Sequence, residues 1–333
     1  MTVEVKLFQS LEDVGREAGD QLARANQPSI YDRLNWFEMT AQHCGRAGRP
    51  LIAHAGDGEN VAWLFLCRQD GKAAEALASW YTLEFNLVGS RDSSELIETM
   101  ANSLHDLRHI QIARVANPEP IVAGFRAAGW KAFTAPCTVN WYIDPPASFE
   151  QFWKERPGKL RSTAKRKGKK AGLDIAIHRA FDEQAWADYR AVYEQSWKPE
   201  EGSWPFLRAF AESEGAAGTL RLGIAYREGA PIAAQLWHVE NGRATIHKLA
   251  YAESAKQLSP GTILSEAMFR HVIEQDRPRR IDYGTGDESY KADWMEHVRP
   301  LYAIDLYNPR RIGAWPALAR KYLSGLVRHR PTD

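Results

Sequence analysis

Cysteine is scarce in this chain, with three residues, Cys44, Cys67 and Cys137, among 333. They are odd in number, lie far apart and form no CxxC pair, which argues against a disulfide framework and against a zinc site. Clusters of His and Cys with metal-ligand spacing are also missing from the sequence. We therefore expect no metal cofactor.

Long apolar runs are missing as well. No stretch approaches the roughly 20 apolar residues that a membrane-spanning helix needs, and residues 1–15 lack the basic and apolar segments of a signal peptide. Charge is balanced, with 43 Lys and Arg against 42 Asp and Glu, which gives no global attraction to nucleic acid or to an anionic membrane. These absences predict a cytoplasmic protein without a membrane span.

Several catalytic motifs are absent too. The chain has no HExxH, no P-loop and no GxSxG, so zinc-protease, NTPase and serine-hydrolase chemistry has no support. Tryptophan, by contrast, is abundant at twelve residues. We expect most of these rings in hydrophobic cores, although such rings also line ligand clefts.

The sequence does contain an internal repeat. A length of 333 residues favours two domains. A shift of 171 aligns residues 51–81 with 222–252 without a gap, and it continues through a helical stretch that pairs residues 93–107 with 264–278. Each half therefore predicts three hairpin-linked strands, a helix and a returning strand. The expected fold class is α/β with mixed (α+β) sheets, in two tandem domains of mostly antiparallel strands flanked by helices.

The two halves differ after the third strand. The C-terminal half has Ser259, Pro260, Gly261 and Thr262 where a helix starts. Uncovered backbone N–H groups at the positive end of a helix dipole favour a phosphate or pyrophosphate. An ordinary turn with an N-cap explains the same four residues, so they predict a phosphate site only in combination with others.

A second difference lies in the next strand and its loop, residues 280–291. Asp282 belongs to the strand, and Tyr290 and Lys291 follow a loop that contains two glycines. The first half has other residues at the matched positions: Gln111, Glu119 and Pro120. Asp282 either anchors the loop or takes part in the reaction directly. Tyr290 and Lys291 are candidates for stabilising an oxyanion or protonating a leaving thiolate.

Together these features resemble a known family. Residues 259–274 and 279–294 resemble the closing signature of the CelD-type acyltransferase domain of the GNAT superfamily, which is close to the Fem-type peptidoglycan aminoacyltransferases. That signature reads Ser-Pro-Gly, a helix, an Asp-bearing strand and Gly-Asp-x-x-Tyr-Lys. The basic run at residues 159–170 resembles the helix that opens this domain, and residues 193–198 resemble a further stretch of it.

The resemblance implies a domain division and an activity. The segments are a degenerate GNAT-like domain at 1–145, a GNAT-like acyltransferase domain at 146–310 opened by the basic helix, and a helical tail at 311–333. The activity is transfer from acetyl-CoA or another acyl-CoA to a small-molecule or peptide-like amine, with the donor pyrophosphate at the helix that starts near Gly261. No oligomeric state is predicted.

Two alternatives stay open. Fem-type relatives imply transfer from aminoacyl-tRNA to a peptidoglycan-type precursor, and the basic run would then contact tRNA phosphates. A non-catalytic protein could use the same fold to bind a CoA-like or peptide-like ligand. The basic run would otherwise dock the 3′-phosphate of CoA or form a solvated helix face.

The candidate site residues fall into three roles. Candidates for catalysis are Asp282, Tyr290, Lys291, His247 and Glu253. Candidates for donor binding are Ser259, Pro260, Gly261, Thr262, Lys159 and Arg161. Candidates for acceptor binding are Trp197, Lys198, Trp204 and Asp287. His247 and Glu253 are rival general bases, with a buried sheet histidine as the ordinary explanation of the former.

Overall fold

A computed structural model describes residues 3–45, 48–90 and 94–328, and the side chains of 324–328 are not described. The chain divides into two compact units. The first unit contains residues 1–138 and 300–333, and the second contains residues 139–299. None of the described helices is both long and apolar enough to cross a membrane.

Strands and helices are numbered in chain order. The strands are β1 (Glu4–Phe8), β2 (Arg49–Gly56), β3 (Val61–Asp70), β4 (Ala73–Ala76), β5 (Val88–Gly89), β6 (His109–Val115), β7 (Lys131–Ile143), β8 (Asp174–His178), β9 (Leu220–Arg227), β10 (Ala230–Glu240), β11 (Arg243–Tyr251), β12 (Arg280–Thr285) and β13 (His297–Tyr307). The helices are α1 (Leu11–Ala18), α2 (Leu34–His43), α3 (Ser94–Ser103), α4 (Glu119–Ala127), α5 (Phe149–Glu155), α6 (Gly158–Ala171), α7 (Glu183–Glu194), α8 (Trp204–Ala216), α9 (Pro260–His271) and α10 (Trp315–Arg328). Short helical turns at Glu253–Leu258 and Ser289–Asp293 follow β11 and β12.

The first unit is built on strands in the order β1-β2-β3-β4-β6-β13. Its strands pair antiparallel except for β4 and β6, which are parallel. Apolar side chains of β2, β3 and β6 pack with α3 and α4 in one core. Gly124 of α4 lies so close to α3 that an added side-chain carbon would be 2.4 Å from Ile97.

The second unit repeats this plan in the order β7-β12-β11-β10-β9-β8. Here β11 and β12 form the parallel pair, and the other pairs are antiparallel. On one face of the sheet Trp237 of β10 packs edge-on against Phe269 of α9, with ring centroids 5.1 Å apart. The predicted fold class, two mixed α/β halves of mainly antiparallel strands flanked by helices, is confirmed.

The boundaries of the two units differ from the predicted ones at 145/146 and 310/311. Residues 300–310 belong to the first unit because β13 pairs with β6 from Tyr302 to Tyr307. The predicted tail at 311–333 belongs to that unit as well, since Leu318 of α10 packs with Tyr307. Residues 329–333 of the tail lie outside the described part of the chain.

The predicted register of the repeat holds to within one residue. Strands β2 and β9 match at the shift of 171, as do β6 and β12. Leu51 pairs with Leu66, whereas its counterpart Leu222 pairs with Leu236 rather than Trp237. A tight two-residue turn and a bulge in β10 produce this slip, which a gapless alignment cannot show.

Candidate functional site

The predicted phosphate helix and the predicted polar loop come from one edge of the second sheet. Strands β11 and β12 are parallel neighbours, with Arg243 opposite Arg280 and Thr245 opposite Asp282. Their carboxyl ends therefore lie at the same edge. One end leads into α9 and the other into residues 284–291. We call this place the β11–β12 edge, defined by residues 251–262 and 284–291.

The N-terminus of α9 has the geometry of an anion site. Ser259 adopts a left-handed backbone with φ of 55°, Pro260 opens the helix, and no side chain caps it. The backbone N–H groups of Gly261 and Thr262 therefore point out of the helix at the positive end of its dipole. Gly261 lies close to Tyr251, where an added side-chain carbon would be 3.1 Å from Cδ1 of that ring.

Asp282 is buried and fully engaged. Its carboxylate forms an ion pair with Arg243 and accepts 2.7 Å hydrogen bonds from the Nδ2 of Asn140 and the backbone N–H of Gly284. Burial alone would raise the pKa of this carboxyl, but the charge of Arg243 and these hydrogen bonds lower it below its usual value. A carboxylate with this many partners holds the loop in place.

Lys291 is buried under the same loop. Its ammonium donates to the carbonyl oxygens of Thr285 at 2.6 Å and Gly286 at 3.3 Å, and it pairs with Glu288 at 2.8 Å. Gly286 has a φ of 107°, which lets the backbone turn over the ammonium. Lys291 therefore fixes the path of the loop from inside.

Tyr290 and Asp287 lie on the outside of the loop. Tyr290 is 41% exposed, and its ring meets that of Tyr283 edge-on at 5.8 Å. Partial burial and the carboxylate of Glu288 raise the pKa of Tyr290 to about 12, so its phenol keeps its proton at neutral pH. Asp287 is exposed. Of the two predicted proton-handling groups, the phenol is the one that reaches solvent.

Residues 193–201, which follow α7, also reach this edge. The Trp197 ring packs against that of Tyr251 at a tilt of 41°, with centroids 4.4 Å apart, and stays 47% exposed. The buried carboxylate of Glu201 is paired with Lys248 at 2.9 Å. Lys198 lies near Trp197 and Glu201, with its amine 5.8 Å from the Trp197 ring.

Lys198 has an unusual ionisation. Desolvation by its surroundings lowers the pKa of its amine to about 8, and the charge of Lys248 acts in the same direction. The nearby carboxylates Glu201 and Glu288 oppose this shift, but each is already paired with another lysine. Near pH 8 about half of the Lys198 side chains are therefore neutral amines.

Two predicted residues, His247 and Trp204, lie away from the β11–β12 edge, and a third, Glu253, lies within it. His247 is buried on the face of the sheet that α8 covers, where its ring stacks on Phe210 at 4.9 Å. Trp204 packs in a ring cluster with Trp186 and Tyr193 at the start of α8. Glu253 is exposed in the turn before α9, and its backbone N–H donates to Gln195.

The basic run forms α6, as the sequence predicted, and α6 packs beside α9. Lys167 donates to the carbonyl of Gln257, in the turn that precedes α9. Lys159 and Arg161 begin α6, about 12 Å away along its axis at 1.5 Å per residue. Arg161 lines a groove with Glu266 in the second turn of α9. The end of α6 near Lys167, rather than its start, reaches the α9 N-terminus.

A further cluster of potential metal ligands could not be predicted from the sequence, because Glu214 lies more than 20 residues before the other two members. Ligand atoms of Glu214, His238 and Glu240 lie within 4.8 Å of one another. His238 and Glu240 share one face of β10, and Glu214 also accepts a 2.6 Å bond from the Thr219 hydroxyl. A tetrahedral zinc centre holds its ligand atoms about 3.5 Å apart, so this spacing does not by itself define a metal site.

Comparison with known proteins places this geometry in a family of folds. The sequence pattern of the acetyltransferase (GNAT) domain matches residues 158–292, which contain the whole β11–β12 edge. No curated protein sequence is significantly similar to the chain.

Three solved structures share the fold. FemX aligns with a TM-score of 0.64 at 10% identity, over 92% of this chain and 98% of that one. The C-terminal domain of a protein described as a lysylphosphatidylglycerol synthetase from Agrobacterium fabrum aligns with a TM-score of 0.57 at 15% identity, over 93% and 96%. A tandem GNAT protein from the clavulanic acid biosynthesis pathway aligns with a TM-score of 0.51 at 14% identity, over 91% and 98%.

Proposed function

Because the fold is that of GNAT and Fem-like proteins, we propose that this chain is an N-acyltransferase that moves an acetyl or other acyl group from acyl-CoA to an amine. The observation that carries the proposal is the uncapped N-terminus of α9 at the β11–β12 edge. The donor pyrophosphate accepts hydrogen bonds from the N–H groups of Gly261 and Thr262. Lys167 and its neighbours on α6 supply positive charge on the adjacent side. CoA is a cytoplasmic metabolite, so we place the reaction in the cytoplasm.

Asp282 and Lys291 act as positioning residues in this proposal. Both are buried and hydrogen-bonded to the loop at residues 284–291. They hold the loop in one conformation beside the donor. A preorganised loop lowers the entropy cost of reaching the transition state compared with a mobile one.

Proton transfer falls to two side chains of the same edge. Lys198, with a pKa lowered to about 8, accepts a proton from the acceptor ammonium before attack. The free amine then bonds to the acyl carbon, the nitrogen of this adduct releases its extra proton to solvent, and the carbon–sulfur bond breaks to leave the amide. Tyr290, whose pKa is about 12, donates to the departing thiolate and is reprotonated by solvent. Trp197 forms an exposed apolar wall beside them.

The second candidate function is aminoacyl transfer from a charged tRNA to a peptide-like precursor. The observation that favours it is the exposed basic surface of α6, formed by Lys159, Arg161, Lys165, Arg166, Lys169 and Lys170. A tRNA backbone would meet such a surface with strong salt dependence. The first unit, as a degenerate copy, would serve either reaction as a scaffold.

Ligand-dependent thermal unfolding separates these functions. The full chain is titrated with acetyl-CoA, longer acyl-CoAs and a charged tRNA. A donor at 100 times its Kd stabilises the folded state by about 2.7 kcal/mol. We expect stabilisation by an acyl-CoA, whereas stabilisation by tRNA alone favours the second function. If neither ligand raises Tm, both proposals are wrong.

A matched pair of variants tests the phosphate site. Thr262→Asp places a carboxylate in the first turn of α9, where it favours the helix dipole but repels a phosphate. Gln151→Asp does the same at the start of α5, away from the edge. We expect unchanged stability in both and at least tenfold weaker acyl-CoA binding in Thr262→Asp alone. Equal binding by the two variants would place the donor elsewhere.

A further inference from the structure

Exposed apolar side chains concentrate at one place in the first unit. The structure shows Ile312, Trp315, Tyr322 and Leu323 as 77%, 58%, 53% and 62% exposed. They lie within twelve consecutive residues, and three of them belong to α10. Other large exposed apolar residues in the described chain are scattered singly, and single ones are ordinary. A cluster of this size on one helix requires a partner surface.

The inner side of α10 is already occupied. Leu318 is buried against Tyr307, and the Tyr322 ring meets Phe133 edge-on at 5.5 Å. Lys321 donates to the carboxylate of Asp305 at 2.6 Å. These contacts fix the helix on the first unit. Trp315, whose indole N–H donates to the carbonyl of Pro309 at 2.9 Å, and Leu323 remain exposed. We call these two side chains, with Ile312 in the turn before the helix, the outer face of α10.

The charges beside this face are mainly basic. From 306 to 323 the sequence contains four basic residues, Arg310, Arg311, Arg320 and Lys321, and no acidic one, and Lys321 is paired with Asp305. The whole chain has a net charge of only +1, so the rest of the protein is acidic by comparison. A protein partner with an apolar face need not be anionic, whereas a lipid surface in a cell commonly is.

We propose that the outer face of α10 binds reversibly to a membrane surface that contains anionic lipid. An amphipathic helix with aromatic and aliphatic residues on one side and Arg or Lys beside them lies in the plane of the lipid headgroups. Trp315 and Leu323 enter the boundary between headgroups and acyl chains, and exposed Arg320 pairs with lipid phosphates. This membrane binding does not depend on the acyl-transfer proposal.

Co-sedimentation with lipid vesicles tests this directly. The full-length chain is mixed with vesicles of phosphatidylcholine alone or with phosphatidylglycerol added, at low and high salt. We expect the bound fraction to rise at least tenfold with phosphatidylglycerol. We also expect it to fall as salt increases, since salt screens charges beyond about 8–10 Å. Equal binding to both kinds of vesicle, or binding to neither, would overturn the proposal.

Paired variants identify the face. Trp315→Ser with Leu323→Ser removes apolar contacts, and Arg320→Glu reverses one charge. Their matched controls are Leu7→Ser, an apolar residue 44% exposed on β1, and Lys131→Glu, an exposed residue of β7. We expect the α10 variants to lose vesicle binding at least tenfold and the controls to keep it, while the circular dichroism spectrum and Tm of all four stay unchanged.

A second copy of this chain is the competing occupant of the face. Sedimentation velocity distinguishes it, because a face buried between copies gives a dimer that dissociates in Trp315→Ser with Leu323→Ser. A wild-type monomer that binds anionic vesicles supports the membrane proposal. A dimer that ignores vesicles overturns it.

Discussion

The two units share a strand order but end their matched strands differently. In the first unit, β6 leads into α4, which packs tightly on α3 through Gly124. In the second unit, β12 leads into a polar loop and one short helical turn. The matched strands are thus followed by a packed helix in the first unit and by a polar loop in the second.

A single side chain shows the contrast most clearly. Arg114 occupies the position matched to Thr285, with a φ of 64°. Its guanidinium donates to the carbonyls of Ser79 at 2.8 Å and Thr82 at 2.5 Å. In the first unit this basic residue therefore forms hydrogen bonds within the unit, to a loop that follows β4. In the second unit the cation that holds the loop is Lys291, at a position where the first unit has Pro120, and it donates to the loop carbonyls of Thr285 and Gly286.

The largest expected effect is on stability, at the strand before the loop. Asp282→Asn removes the buried charge that pairs with Arg243, and we expect a loss of about 3 kcal/mol, the lower end for a broken buried pair, because the Arg243 side chain is 28% exposed. Gln111→Ala, at the matched and exposed position of the first unit, should cost less than about 0.5 kcal/mol. Urea unfolding monitored by circular dichroism measures both. Equal decreases in the free energy of unfolding would show that Asp282 stabilises the fold no more than an ordinary surface residue does.

The next effect is on turnover, at a residue with no counterpart in the aligned part of the first unit. Lys198→Met removes the proposed base and should lower kcat about 100-fold, or about 2.7 kcal/mol. In the wild type the amine must be neutral to accept a proton, so kcat should rise with pH and level off above about 8. Acetyl-CoA-dependent thiol release across a pH series measures this. His247→Gln is the control, and loss of the pH step in that variant instead would reassign the base.

The strand order and the repeat could be read from sequence because both depend on local signals. Turn glycines and alternating apolar runs mark hairpins, and the shift of 171 matches β2 with β9 at both ends and β6 with β12 to within one residue, whereas β11 extends four residues beyond the counterpart of β4. The unit boundary could not be read, because β13 pairs with a strand almost 200 residues earlier, from Tyr307 to His109. Long-range pairing leaves no mark near either strand.

For the candidate site, too, the parts formed by contiguous residues could be predicted, whereas the parts that depend on long-range contacts could not. The start of α9 and the loop from Asp282 to Lys291 follow contiguous motifs, and the structure brings both to one edge. His247 shows that the alternation of residues along a strand does not always predict which face of the sheet a side chain lies on. A bulge in the pairing of β10 with β11 breaks the alternation beside it, and the structure places its ring against Phe210 of α8. The low pKa of Lys198 arises from desolvation and from a lysine fifty residues away, so no motif could reveal it.

A smaller effect is expected in the first unit. Arg114→Ala removes two hydrogen bonds from a charged donor and should cost about 1–2 kcal/mol of folding free energy. Acyl-CoA binding by the folded protein should not change, because the second unit holds the donor site in our proposal. Urea unfolding and calorimetric titration with acetyl-CoA check the two parts. Weaker acetyl-CoA binding in Arg114→Ala would show that the first unit is more than a scaffold.

The smallest effect concerns Tyr290, whose matched residue in the first unit is Glu119. A thiolate is a good leaving group, since an unperturbed thiol has a pKa of about 8.5, so protonation helps its departure only slightly. The phenol, with a pKa of about 12, gives up its proton reluctantly. Tyr290→Phe should therefore lower kcat only about fivefold and leave KM for acetyl-CoA unchanged, whereas Tyr290→Glu should lower it further because a carboxylate repels the departing thiolate. Full activity in both variants would take the phenol out of the reaction.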